Sequence, residues 1–280
     1  MKTYIYILFI CISFFLTSCV DVIDVDVPTA PPRLVIEASL DWIKGTLGNE
    51  QFIELSLSTP YFESTVSSEV TGAKVRVINN SDKSEVVFVD QNNGFYTTTS
   101  FIPILHQSYT LEVIYKNEVY LATEKLIPVT NITEITQSTE NGFDDEAIEI
   151  NITFLDPEDE ENYYLTKFHD RNDLFPTLSD ESDEFTNGNE MTLTYEKTKH
   201  ENNKEDELKP GDIVDINLHG ISQQYYNYIR LLISQSEDGG LFAATPAAIK
   251  GNCINKTNKD NYAFGYFRLT EVDKKVYIVE

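Results

Sequence analysis

Four histidines, three cysteines and 46 carboxylates are the side chains of this 280-residue sequence with most chemical potential. His106, His169, His200 and His219 are scattered. None makes the i, i+4 pair that sets two imidazoles on one helix face, and none lies near a cysteine, so the spacing predicts no zinc site. No serine stands in a nucleophile elbow, and Gly239-Gly240 lacks the Lys-Ser/Thr that would complete a phosphate loop. Among so many acids, two carboxylates at a glycosidase separation arise by chance and say nothing without a cleft. The turns Asp156 to Glu161 and Asp180 to Glu184 cluster oxygens that calcium could use. Neither has the alternating ligands and central glycine of a dedicated loop, so solvated turns are the better reading. The residues therefore predict no catalytic group, no metal and no cofactor.

Cys19 is the exception. It follows a charged start, Met1-Lys2, and an apolar run from Tyr4 to Leu16. That run is too short for a spanning helix, which needs roughly 20 residues, and it fits a signal peptide over 1–18. Leu16, Thr17 and Ser18 are the motif a cleaving enzyme would read, and Cys19 behind them resembles the bacterial lipobox, whose thiol is acylated. A short buried helix with a stray cysteine, or an ordinary signal cut elsewhere, is the alternative. Each buried CH₂ of an acyl chain contributes about 0.8 kcal/mol, so more than one chain anchors stably. Val20 in place of an acid removes the usual inner-membrane retention signal, which points to the outer membrane, on either face. The segment 19–32, CVDVIDVDVPTAPP, then reads as a tether: Asp21, Asp24 and Asp26 repel one another, and Pro28, Pro31 and Pro32 stiffen the chain. From Val20 to Pro32 it reaches roughly 43 Å at about 3.3 Å per residue. Alternating Val and Asp could instead form an edge strand.

The formal net charge of −25 disfavours nucleic acid and anionic lipid as partners. With Cys11 in the leader and Cys19 acylated, Cys253 has no cysteine to pair with. Stability must come from burial, for which 16 Phe and 16 Tyr provide the area.

The elements that would position any site are mostly strands. Leu34-Val35-Ile36, Ile53 to Leu57, Val75 to Val77 and Tyr109 to Tyr115 alternate apolar and polar residues, and Asn117-Glu118 turns the last into Val119 to Lys125. Ile148 to Phe154, Tyr163 to Phe168, Met191 to Tyr195 and Val214 to Leu218 continue the pattern, and Tyr262 to Leu269 and Val276 to Val279 end it. Ser179 to Asn189 and Lys199 to Pro210 have little to bury and read as surface loops. One helix is expected over about 221–236, where Ile221, Tyr225, Tyr228, Ile229 and Leu232 fall at helical spacing behind the cap Ser222. Its tyrosine stripe reads as core. The expectation is a mostly β protein of two β-sandwich-like units, 33–128 and 129–280, the second carrying the helix.

Several stretches together resemble a Bacteroidetes family, the domain of unknown function four-two-four-nine. They are the lipobox, LVIEASL from Leu34, FIELSLSTPYF from Phe52, VTGAKVRV from Val70, GFY from Gly94 and YTLEV from Tyr109. FLDPEDEENYYL from Phe154, GNCIN from Gly251 and GYF from Gly265 complete the order. The resemblance implies a non-enzymatic outer-membrane lipoprotein, held to the membrane by Cys19 and acting as accessory or ligand-delivery partner of a TonB-dependent transporter. It supplies no catalytic residues. A glycan-binding or adhesion lipoprotein is the alternative. Gly239 to Ile249 contains no charge at all. Leu241, Phe242, Ala243 and Ala247 there are either a packed loop or an interaction surface.

Overall fold

The computed structural model describes residues 30–60, 68–142, 144, 146–158, 160–197, 207–237 and 248–280. In chain order the strands are β1 (Leu34–Ile43), β2 (Gln51–Leu57), β3 (Lys74–Asn79), β4 (Glu85–Asp90), β5 (Phe95–Thr98), β6 (Ser108–Tyr115) and β7 (Glu118–Ile127). Then come β8 (Ile132–Ser138), β9 (Glu149–Leu155), β10 (Tyr163–Asp170), β11 (Thr177–Ser182), β12 (Glu190–Glu196) and β13 (Ile213–Ile221). Helix α1 (Gln223–Glu237), β14 (Ile254–Asn255) and β15 (Phe264–Ile278) finish the chain.

The strict alternation of the first strands puts one face inward. Ile36, Ile53, Leu55, Tyr96, Leu111, Val113 and Phe267 meet in one core, and each such side chain stabilises the fold by about 1.5–3 kcal/mol. Their strands close into an eight-stranded ring, β15-β1-β2-β5-β4-β3-β6-β7, where Leu126 and Ile127 of β7 pair with Leu269 and Thr270. Lys116 and Asn117 both have positive φ, the geometry of a two-residue hairpin turn, between the paired Tyr115 and Glu118.

The second core lies between two sheets. Ile150, Ile152, Phe154, Met191 and Tyr195, from the sheet β8-β9-β12, pack on Tyr164, Phe168, Ile216 and Leu218 of β10 and β13. The Phe168 and Tyr195 rings stack at 4.7 Å and 5°. The described residues are thus mostly β with one helix, a closed ring followed by a sandwich.

β15 belongs to both. Residues 264–272 run parallel to β1, and residues 272–278 run antiparallel to β13. Val272 faces Ile43 on one side and His219 on the other. The division expected at residue 128 is therefore crossed by one continuous strand. The two strands expected here, ending at Leu269 and starting at Val276, are one. The acids between them do not break it because they are used: Glu271 accepts from Val129 N at 3.1 Å and Asp273 from Ile132 N at 2.8 Å.

The expected loop from Ser179 to Asn189 is also corrected in part. Thr177–Ser182 is an edge strand paired along its length with β10. Its polarity hid it, since Leu178 alone supplies an apolar contact, towards the helix. Helix α1 begins where the cap predicts, with Tyr225 N donating to Ser222 Oγ at 3.2 Å, whereas Ile221 still belongs to β13. Tyr225, Tyr226 and Ile229 are buried as core, but Leu232 is 37% exposed.

Candidate functional site

Several residues singled out from the sequence lie outside the described residues: Leu16, Thr17, Ser18, Cys19, His200, and Leu241, Phe242, Ala243 and Ala247. The acidic turns, apart from Asp159, are among the described residues, and two of their acids accept hydrogen bonds from nearby groups. Asp156 accepts from Tyr164 Oη at 2.5 Å and Gly188 N at 3.0 Å, and Asp183 accepts from Asn162 N at 2.8 Å. Among the described residues no group of three or more His, Cys, Asp or Glu side chains is placed to hold a metal ion. Burial pushes the Cys253 thiol up to about 12, so it stays protonated.

A polar cleft lies along the first turns of α1. A cleft of about 440 Å³ is lined by Glu161, Tyr163, Ser182, Asp183, Glu184, Asn187, Gln223, Tyr226, Asn227 and Arg230. β10 supplies Tyr163, the end of β11 supplies Ser182, and one face of α1 supplies the last four. The Tyr163 and Tyr226 rings lie 5.0 Å apart, and Arg230 Nη1 donates to Tyr226 Oη at 2.9 Å. Gln223 Nε2 donates to Tyr163 Oη at 2.8 Å. Phe185, next to Glu184 in the chain, is 91% exposed. A second cleft of about 330 Å³ shares Glu161, Tyr163 and Gln223 and continues to His106, Lys125, Ile127 and Pro128. Together they make a groove whose far wall comes from the ring strand β7. Amides, carboxylates, one guanidinium and two phenols give it donors and acceptors for a hydroxyl-rich or amine-bearing ligand.

Beneath α1 the sheet carries a layer of charge at the place where β15 passes from ring to sandwich. Arg268 is buried, with Nη1 2.7 Å from Asp41 Oδ1, and its guanidinium carbon is 5.3 Å from the Tyr225 ring centroid. His219, also buried, approaches Asp41 Oδ2 at 3.6 Å through Nε2, while Nδ1 is 3.0 Å from the Leu165 carbonyl. Burial pushes the Asp41 pKa up, but the Arg268 guanidinium outweighs it and holds the carboxyl well below the usual range. Burial lowers the His219 pKa, so the imidazole is neutral at pH 7. It serves as a spacer between carbonyl and carboxylate. Glu124 of β7 is buried too, and burial raises its pKa although Ser222 Oγ and Tyr266 Oη both donate to it. These groups fix the helix and both β units to one another. Nothing in the sequence marked them, because Asp41, His219 and Arg268 are distant in the chain and meet through strand pairing alone.

Residues 20–276 match the family described as Domain of unknown function (DUF4249). No curated protein matches. Among solved structures, a two fibronectin type-III domain segment from chicken tenascin aligns at 12% identity, covering 68% of this chain and 90% of that one, with a TM-score of 0.21. A DUF4785 family protein from Legionella pneumophila aligns at 11% identity and TM-score 0.27, covering 67% of this chain and 52% of that one, so the match spans about half its length. A cytokine receptor complex aligns at 7% identity and TM-score 0.27, covering 68% and 86%.

Proposed function

The chain belongs to the DUF4249 family, and from that premise we propose that it is a lipid-anchored accessory protein of the outer membrane. Cys19 carries the anchor, and the folded body works with a TonB-dependent transporter by docking on it or delivering its ligand. The observation that carries the reading is the order apolar run, Leu16-Thr17-Ser18-Cys19, acidic tether, compact β body. The groove beside α1 supports a holding role, since its second cleft is walled by His106, Lys125 and Ile127 of the ring and by Glu161 and Tyr163 of the sandwich. A second reading is glycan binding, favoured by the same groove, where Tyr163, Tyr226, Arg230, Gln223 and Asn187 are the side-chain types that hold sugars by ring contact and hydrogen bonding.

A mild-detergent pull-down from outer membranes tests the first reading, together with fatty-acid labelling of Cys19→Ser. We expect a TonB-dependent transporter to co-purify, and the variant to lose both label and membrane attachment. Continued labelling of the variant overturns the anchor. Retention on a glycan array, with no barrel protein in the pull-down, replaces the first role by the second.

A further inference from the structure

At the end of the ring where β1 stops and β2 starts, apolar side chains stand in solvent. Leu47 is 81% and Ile102 70% exposed, and Ile43 and Ile104 are exposed too. They come from the last residue of β1 and from the connections 44–50 and 99–107. No Asp, Glu, Lys or Arg occurs from Gly45 to Asn49 or from Gln91 to Leu111, in a chain that is 24% charged. Other exposed apolar side chains stand next to charges: Val87 pairs with Arg76, Leu174 follows Asp173, and Phe185 follows Glu184.

The two connections are locked together. Phe101 N donates to Asn49 O at 3.2 Å, and Asn49 Nδ2 donates to Thr99 O at 2.9 Å. A Cβ at Gly48 would lie 2.5 Å from Trp42 Cδ1 and 2.8 Å from Pro103 Cγ, so the glycine lets both rings close on its backbone. Phe101 is buried and Leu105 packs against the ring core, which leaves Ile102 and Ile104 outside. Tyr109 Oη donates to Ile102 O at 3.2 Å and accepts from Ile104 N at 3.0 Å, fixing the bend between them. A patch held in this way loses little conformational freedom when something covers it. Of the charges near it, Lys44 is turned to Glu271 at 3.6 Å and Asn131 at 2.7 Å. Glu50 closes the first connection, and Asp82 and Lys83, on the β3–β4 turn at the same end, offset each other.

We propose that Leu47, Ile102 and Ile104, with Ile43 at their base, are the surface by which the body docks on an apolar loop of a membrane-embedded protein. The inference rests on the transporter-docking reading above and names the face that would do it. An uncharged apolar patch marks an interaction site, and it calls for an equally uncharged counterpart. A second copy is disfavoured by the net charge of −25 that each chain carries. Lipid is disfavoured by position. The chain enters the ring at its other end, at Arg33, while β15 runs on past this end into the sandwich and Lys44 bridges to Asn131. The patch therefore borders the join between ring and sandwich, an angle that a protruding protein loop enters and a flat bilayer does not. The tether permits the approach: its reach of about 43 Å exceeds the length of β1, about 33 Å, so this end can turn towards a neighbour in the membrane that holds the lipid. Anchoring both proteins in one membrane raises their effective concentration, so a patch of a few side chains suffices.

The test uses the acylated full chain in its own outer membranes. A photo-crosslinking residue replaces Leu47 in one variant and Val89, exposed on the outer face of β4, in a control. We expect the Leu47 position to yield an adduct containing peptides of a TonB-dependent transporter, and the control to yield none. The double variant Leu47→Asp, Ile102→Asp should keep its melting temperature and fatty-acid label, since both side chains are exposed. It should recover about tenfold less transporter or worse in the mild-detergent pull-down, because one buried leucine or isoleucine is worth about that factor in affinity. Adducts with lipid or with a second copy overturn the proposal, and so does equal recovery of the transporter by parent and double variant. Those outcomes leave the transporter reading standing, whereas absence of any transporter from the parent's pull-down strikes that reading and this surface with it.

Discussion

Glu149 opens β9 almost fully buried, yet among the described residues its carboxylate makes no ion pair. It accepts from Ser138 Oγ, from Asn141 N at 2.9 Å and from Asn141 Nδ2 at 3.0 Å. Burial raises its pKa, but these donors outweigh burial and take it from the ordinary 4.5 down to about 2. A depressed carboxyl contributes stability that is fully present above the unfolded value and is lost as pH falls through the folded one. Glu149 should therefore stabilise the protein by about 3 kcal/mol near pH 6 and by progressively less between pH 4.5 and 2. Asp41 and Asp170 are also depressed, so the native protein alone does not isolate the effect. The difference in urea unfolding between it and Glu149→Gln does. That difference should shrink on acidification, and one that stays constant from pH 6 to pH 2.5 would mean that the carboxylate is not held as described.

At the scale of elements, the crossing of the β7–β8 connection over β13 is a close backbone approach that joins the two units. A Cβ at Gly220 would lie 1.8 Å from the Pro128 carbonyl oxygen, a backbone atom that no rotamer change can move. Gly220→Ala should cost about 3 kcal/mol or more, whereas Gly45→Ala, with positive φ but nothing within 4 Å, should cost nearer 1 kcal/mol. Equal melting temperatures for the two variants would show that the crossing relaxes. Legibility from the sequence divides along similar lines. β6, β9, β12 and β13 alternate apolar with polar residues, so their period of two was visible even though only β12 exposes its polar face fully. β4 was not, because Val87 and Val89 point outward at 63% and 61% exposed while Phe88 points in, and the run EVVFVD loses its alternation. β8 and β11 sit at sheet edges with polar sequences and are defined by hydrogen bonding to one neighbour. The groove was invisible for another reason: its walls come from short stretches of β7, β10, β11 and α1, none unusual alone.

For the whole molecule, the shared strand decides what can fold alone. A fragment ending at Pro128 lacks Phe267 and Leu269, both fully buried in the ring core, and leaves β1 and β7 without the strand that joins them. Such a fragment should be protease-sensitive and without cooperative unfolding, although the hydrophobic pattern of 33–128 reads as a unit. A compact, resistant fragment ending there would show that β1 and β7 can close on each other. The same strand also has a direction. The chain enters β1 at Arg33, and β15 runs parallel to it before passing into the sandwich. A load applied between the amino-terminal side of β1 and the sandwich pulls the two strands along their length in opposite senses. The hydrogen bonds of the nine paired residues from Val35 to Ile43 are then strained together rather than opened one after another from an end. This is the geometry of a shear clamp. If a partner draws on the sandwich while the membrane holds the other end, the force passes through the ladder best placed to withstand it.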